Sequence, residues 1–154
     1  MNDSQIRETV AMFDSTNTSV HEAAWGLLRP LGEAVVPFLA ECFPRTKKAQ
    51  GRVALVFHAI RFARKSQPAF ELGVLALNDK ATLVRYRACA LCAYSLRDDA
   101  IPHLKLLLKH SDMNTAADAK AAIDAIKSRN HHYFVDRTHS HSTFWEVNPE
   151  DVCH

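Results

Sequence analysis

Apolar residues recur every three or four positions along most of this chain, the spacing that places them on one face of an α-helix. Val53, Val56, Phe57 and Ile60 form one such stripe and read as core. Val84, Ala88, Leu91 and Ser95 form a second, and Ile101, Leu104 and Leu108 a third. The pattern predicts eight helices, near 4–14, 19–29, 32–43, 47–64, 68–77, 80–96, 99–109 and 114–128. Local start signals agree. Ser19 followed by Glu22 predicts a capping box, and Asp79 predicts a cap for the helix after it. Pro37, Pro68 and Pro102 each open an apolar segment, where a helix has no use for the missing N–H. Ala88, Ala90, Ala93, Ala121 and Ala122 leave room for neighbouring helices to approach closely.

The period changes at Arg129. Tyr133-Phe134-Val135 and the run from Thr143 to Val147 are β-prone, and a polar loop from Asp136 to Ser142 separates them. This predicts a β-hairpin appended to the last helix. Its aromatics Tyr133, Phe134, Phe144 and Trp145 predict that it covers an open apolar end. The division is thus a helical body, 1–128, and a tail, 129–154, packed on its last helices.

The body repeats itself. Ala24–Leu28 aligns with Cys89–Ala93 at an offset of 65 residues, which brings Leu31 onto Leu96 and Val36-Pro37 onto Ile101-Pro102. Half of that offset, about 32, is the length of a short helical hairpin. The clearest unit runs from Leu77 to Asp112: Asp79, then Val84-Arg85, small residues within a helix, an acidic turn at Asp98-Asp99, then Ile101-Pro102. In these residues the chain resembles the HEAT repeat. The resemblance implies an all-α, right-handed solenoid of about four helical hairpins, here with the β-hairpin as its C-terminal cap. It also implies that second helices line a concave face, and that an aspartate and an arginine of successive repeats form an internal ladder. Asp79 and Arg85 match that ladder; the units before them do not, since position 54 is Ala and position 20 is Val.

Composition adds exclusions. Four glycines and six prolines are too few for the many turns of a β-sandwich. No 18-residue apolar run exists, so no membrane span is expected. The polar start MNDSQIRETV does not read as a secretory signal, which predicts a cytoplasmic protein with reduced thiols. Cys89 and Cys92 have C-x-x-C spacing but lie mid-helix among Ala and Leu, and read as small core residues.

Charge is unevenly spread although the net is only +2. Residues 1–43 carry −4, residues 44–110 carry +9 from thirteen basic and four acidic groups, and residues 111–154 carry −3. A basic middle is a candidate footprint for an acidic partner.

No phosphate-binding loop, zinc-protease helix or nucleophile elbow is present. The tail residues His131, His132, Asp136, His139, His141, Cys153 and His154 match no zinc signature, so neither metal nor cofactor is expected. The expected function is therefore a non-enzymatic module that binds another protein. In size and fold it resembles immunity proteins that occlude a cognate toxin and small bacterial adaptors. The alternative is nucleic-acid binding or DNA repair through the basic middle. Here the resemblance is to the alkylpurine DNA glycosylases, whose catalytic aspartate matches no position in this chain. The expected contact residues are Arg52, Arg61, Arg87 and Tyr94 from the helices, and Arg137, His139 and Trp145 from the tail.

Overall fold

A computed structural model of the chain describes residues 1–152; Cys153 and His154 lie outside the described residues. Among the described residues eight α-helices form: α1 (Asp3–Ala11), α2 (Thr18–Leu28), α3 (Val36–Cys42), α4 (Ala49–Ala59), α5 (Gln67–Ala76), α6 (Thr82–Ser95), α7 (Ile101–Lys105) and α8 (Met113–Lys127). Each predicted helix has its counterpart. Several are shorter than expected because their ends tighten to 3-10 geometry, at Arg29–Val35 ahead of α3 and Ile60–Phe62 after α4 for example. No helix among the described residues is long and apolar enough to cross a membrane.

The helices pack in two layers. α1, α3 and α5 follow one another along one layer, and α4, α6 and α8 along the other, with α5 against α6 and α7 against α8. α6 is the centre. Val84, Arg85 and every residue from Ala88 to Ser95 are buried, because small side chains alternate with Leu91 and Tyr94 and neighbours approach on all sides. Cys89 and Cys92 belong to this core as free thiols, and burial pushes both up, Cys92 to about 12.

Pro37, Pro68 and Pro102 all stand in the first turn of their helices. Two predicted caps differ. α2 begins two residues earlier than the Ser19 box requires. Asn17 is its cap, accepting from the Ser19 N–H at 2.9 Å, because an Asn side chain reaches its own backbone two residues on. Asp79 accepts from the Ala81 N–H, just ahead of α6, rather than from within the helix.

Asp79 has a larger task. The Arg52 guanidinium forks onto its carboxylate, Nε to Oδ2 at 2.8 Å and Nη2 to Oδ1 at 3.2 Å. Arg85 pairs with Asp112 one unit later through a single contact, Nη2 to Oδ2 at 3.0 Å, while its Nε donates to the Thr115 hydroxyl at 2.9 Å. The backbone acceptors repeat as well: Arg52 donates to the Thr46 carbonyl and Arg85 to the Asp79 carbonyl. Both sets are related by 33 residues, which is the chain's true internal repeat. The ladder therefore has a rung at Arg52, not at position 54. Asp112 also receives the Thr82 hydroxyl, the Asn114 and Thr115 N–H groups and Arg85, and these hold its carboxyl down at about 2.

Gly51 lets α4 lie directly against the end of α1. A Cβ there would collide with the Phe13 carbonyl oxygen and come within 2.7 Å of Thr46 Cγ2. Backbone cannot swing aside as a side chain can. Gly51→Ala is expected to lower stability by about 1–3 kcal/mol, the cost of overpacking, although alanine favours helices; chemical denaturation checks this.

The predicted β-hairpin is absent. No strand forms among the described residues, and the tail is 3-10 turns, at His131–Phe134 and Pro149–Asp151, joined by irregular chain. The physical reason is that side chains satisfy its backbone. Asp136 collects the N–H groups of Ser140 and His141 and the Ser140 hydroxyl. His132 Nδ1 accepts from the Trp145 N–H, and Asp151 accepts from the N–H groups of Val147 and Asn148. His139 and His141 sit at φ 55° and 63°, in the left-handed region, which breaks any ladder between the two runs. Of the four tail aromatics Phe134 is buried and Tyr133 and Trp145 are partly buried, by an irregular strap lying on α6 and α8, whereas Phe144 stays exposed and does not cover the core.

Candidate docking face

The seven expected contact residues separate into three groups. Arg52 and Tyr94 are internal. Arg52 belongs to the buried ladder, its side chain 9% exposed. Tyr94 is 1% exposed, donates its hydroxyl to Asp151 Oδ2 at 2.7 Å and accepts from Asn148 Nδ2 at 2.9 Å. Burial, then the Asp151 contact, pushes its hydroxyl up to about 12. Neither side chain offers a polar group at the surface.

Arg137 and His139 staple the tail to α8. Arg137 donates to Asp118 Oδ1 at 2.9 Å and to the Phe134 carbonyl at 2.8 Å. His139 Nε2 meets Asp124 Oδ2 at 2.5 Å, and its ring stacks on Tyr133 with centroids 3.7 Å apart. Both remain partly exposed, with Arg137 Nε and Nη2 and His139 Nε2 already partnered within the chain.

Arg61, Arg87 and Trp145 do come together. They line one cleft of about 160 Å³ with Phe57, Glu146 and Val147. Neither guanidinium has an ion pair or hydrogen bond among the described residues. Arg61 lies over the Trp25 ring at 5.7 Å, and Arg87 over Phe57 at 4.8 Å and Tyr86 at 5.3 Å. Ring faces hold the cations without neutralising them.

Phe57 and Arg87 also belong to a second cleft of about 310 Å³, whose other walls include Val53, Leu83, His21 and His58. The two clefts thus join into one face running from the α2 side, across α4 and α6, to the tail. Phe57 is 45% exposed and Leu83 65%, so the expected core role of Phe57 is corrected. Leu83 carried a usable signal: it is apolar yet off the Val84–Ala88–Leu91 stripe, four residues before Arg87.

His58 is the odd residue here. Its ring stacks on Trp25 with centroids 3.9 Å apart and planes 13° apart, with Phe13 and Phe57 against it. Its Nδ1 is shut off from solvent and has no hydrogen-bond partner among the described residues. Burial, reinforced by Arg61 and His21, lowers its pKa from 6.5 to about 4. A falling pH therefore protonates His58 in the unfolded chain first. Its contribution is complete above about pH 6.5 and is lost as pH falls toward 4. The loss is about 3 kcal/mol, at roughly 1.4 kcal/mol per pH unit. Burial also lowers His131, which adds to the same slope. His58→Phe keeps the stack and removes the proton site. Urea unfolding at pH 7 and pH 5 is expected to show a clearly smaller drop for the variant than for the parent.

The basic middle is partly spent inside the fold. Of its thirteen basic groups, Arg45, Arg52, Arg64, Arg85 and Arg97 are ion-paired. Three of the five acids, Glu41, Asp112 and Asp151, come from the acidic flanks. The segregation of charge along the chain is therefore in part an internal match. Among the described residues no three or more His, Cys, Asp and Glu side chains gather as metal ligands; Cys153 and His154 fall outside them. Comparison with family models, curated proteins and solved structures returned no match.

Proposed function

We propose that this chain is a non-enzymatic module that docks another protein on the face formed by α4, α6 and the tail. The observation that carries this is one continuous surface with exposed Phe57 and Leu83 at its centre and the unpaired cations Arg61 and Arg87 beside them. Clustered aromatic and arginine side chains are the usual anchors of protein interfaces. An exposed apolar pair beside free guanidiniums suits a partner that is apolar at its anchor and acidic around it, with charge hastening encounter. Occlusion of a partner's active site, as by an immunity protein or an adaptor, is the finer form of this proposal.

Nucleic acid would need aromatic rings free to stack on bases between the cations. Tyr94 is buried and Tyr86 lies under Arg87, which favours the protein reading. The test is capture from host lysate with the parent and with Leu83→Asp and Arg87→Glu variants, under nuclease and at low and high salt. A protein retained through nuclease and salt, and lost with either variant, is the expected result. Nucleic acid alone, released at high salt, would replace this reading with the nucleic-acid one. Capture indifferent to both variants would move the interface elsewhere.

A further inference from the structure

The larger of the two clefts carries more than a general docking role. Its floor is apolar, from Val53, Ala54, Phe57 and Leu83. None of its lining residues is acidic, and one, Arg87, is a cation with no ion pair or hydrogen bond among the described residues. Its volume, about 310 Å³, falls at the lower end of sites that enclose a small organic group. The wall also holds His58, whose Nδ1 has no partner. A buried polar atom without a partner is uncommon and calls for a reason. Arg87 is planar, and its stacking on Phe57 and Tyr86 limits the positions it samples. A fixed guanidinium beside an apolar floor suits a carboxylate carried on an apolar body.

We infer that this cleft is the specificity pocket of the docking face, taking an aromatic side chain of the partner with an adjacent carboxylate on Arg87. The inference rests on the protein-docking reading of the preceding section. Arg61 lies on the same face beyond Phe57 and extends the preference for acid past the pocket. Among the described residues of the adjoining cleft Glu146 is the one carboxylate, and it lies on the tail side, so it sets the boundary of the anionic site rather than filling it.

The test uses the full chain and two probes, 3-phenylpropanoate and its neutral amide, followed by amide chemical-shift mapping. The acid is expected to bind in the millimolar range, with shifts centred on Phe57, His58 and Leu83. The amide is expected to bind at least tenfold more weakly. Arg87→Gln should abolish that difference while leaving the melting temperature close to the parent's. A short peptide with a Phe-Glu pair should compete with the acid, and its Phe-Gln counterpart should not. Equal binding of acid and amide to the parent, or shifts away from the cleft, would overturn the inference without recourse to the variant. Binding of the free acid with no competition from the Phe-Glu peptide would assign the pocket to small carboxylates and also overturn it. If Leu83→Asp abolishes partner capture but neither probe binds, the docking reading stands and this inference alone fails.

Discussion

Asp79→Ala is expected to lower the unfolding free energy by about 3–5 kcal/mol, the usual cost of stripping one partner from a buried ion pair. The Arg52 and Asp79 side chains are only 9% and 7% exposed, so water cannot replace what is lost. Removing the carboxylate leaves the Arg52 Nε and Nη2 protons without acceptors and the cation without its counter-charge. It also frees the Ala81 N–H at the entrance to α6, the helix on which both layers converge. Loss of about 3–5 kcal/mol is a large part of the roughly 5–15 kcal/mol that holds a typical domain together. The double variant Arg52→Met/Asp79→Ala is expected to recover a substantial part of that loss, because no buried charge is left uncompensated. Denaturant unfolding of the parent, both single variants and the double completes the cycle. Additive single effects would mean that the pair is not coupled and that the ladder is a geometric coincidence.

That rung was hidden in the sequence for a specific reason. Prolines spaced 31 and then 34 residues apart leave the register of the repeat loose, and a reading at position 54 meets Ala54 and no arginine. Prolines mark only that a first turn is near; they tolerate a drift of a residue or two. The side chains that must meet across the stack do not. Spacing the polar residues instead gives Arg52 and Arg85, then Asp79 and Asp112, each 33 apart. The eight helices were legible because the apolar period repeats in each of them, and burial enforces it. The tail was legible as to what it buries and illegible as to how. β-prone residues describe a preference for a half-buried surface, and an irregular strap with side-chain acceptors meets that preference equally well. On the docking face, Arg61, Arg87 and Trp145 were readable as cations and an aromatic of the expected helices and tail. Arg52, Arg85 and Tyr94 share those residue types and lie inside. Type does not tell an arginine on a ring face from one buried on an aspartate; the partner 27 residues further on does.

Asp151→Ala is expected to detach the tail and to weaken docking without touching either free arginine. Asp151 Oδ2 accepts from the Tyr94 hydroxyl at 2.7 Å, the Asn148 N–H at 2.8 Å and the Val147 N–H at 3.0 Å. Its other oxygen lies 3.7 Å from the Arg64 guanidinium, which itself lies over the Tyr94 ring and donates to His131 Nδ1. Burial alone would raise the Asp151 carboxyl, but the Asn148 N–H, the Tyr94 hydroxyl and the Val147 N–H outweigh it and hold it below the usual carboxylate range. One alanine removes the acceptor for three donors, two of them backbone groups, and leaves Arg64 without its acid. The expected cost is about 3–5 kcal/mol if the strap stays in place. Because helix contacts do not depend on it, the cheaper response is local release of residues 145–152, at the lower end of that range. Hydrogen exchange of the Val147 and Asn148 amides and the position of the Trp145 indole resonance separate the outcomes. Fast exchange with a shifted indole, and a helical core that still melts cooperatively, is the expected result. Release takes Trp145 and Val147 away from Arg61 and Arg87 and opens the smaller cleft. Partner capture should then fall with Asp151→Ala and be largely kept with Asp151→Asn, which retains an acceptor in the same place. Capture unchanged by a released tail would leave the docking face to α4 and α6 alone.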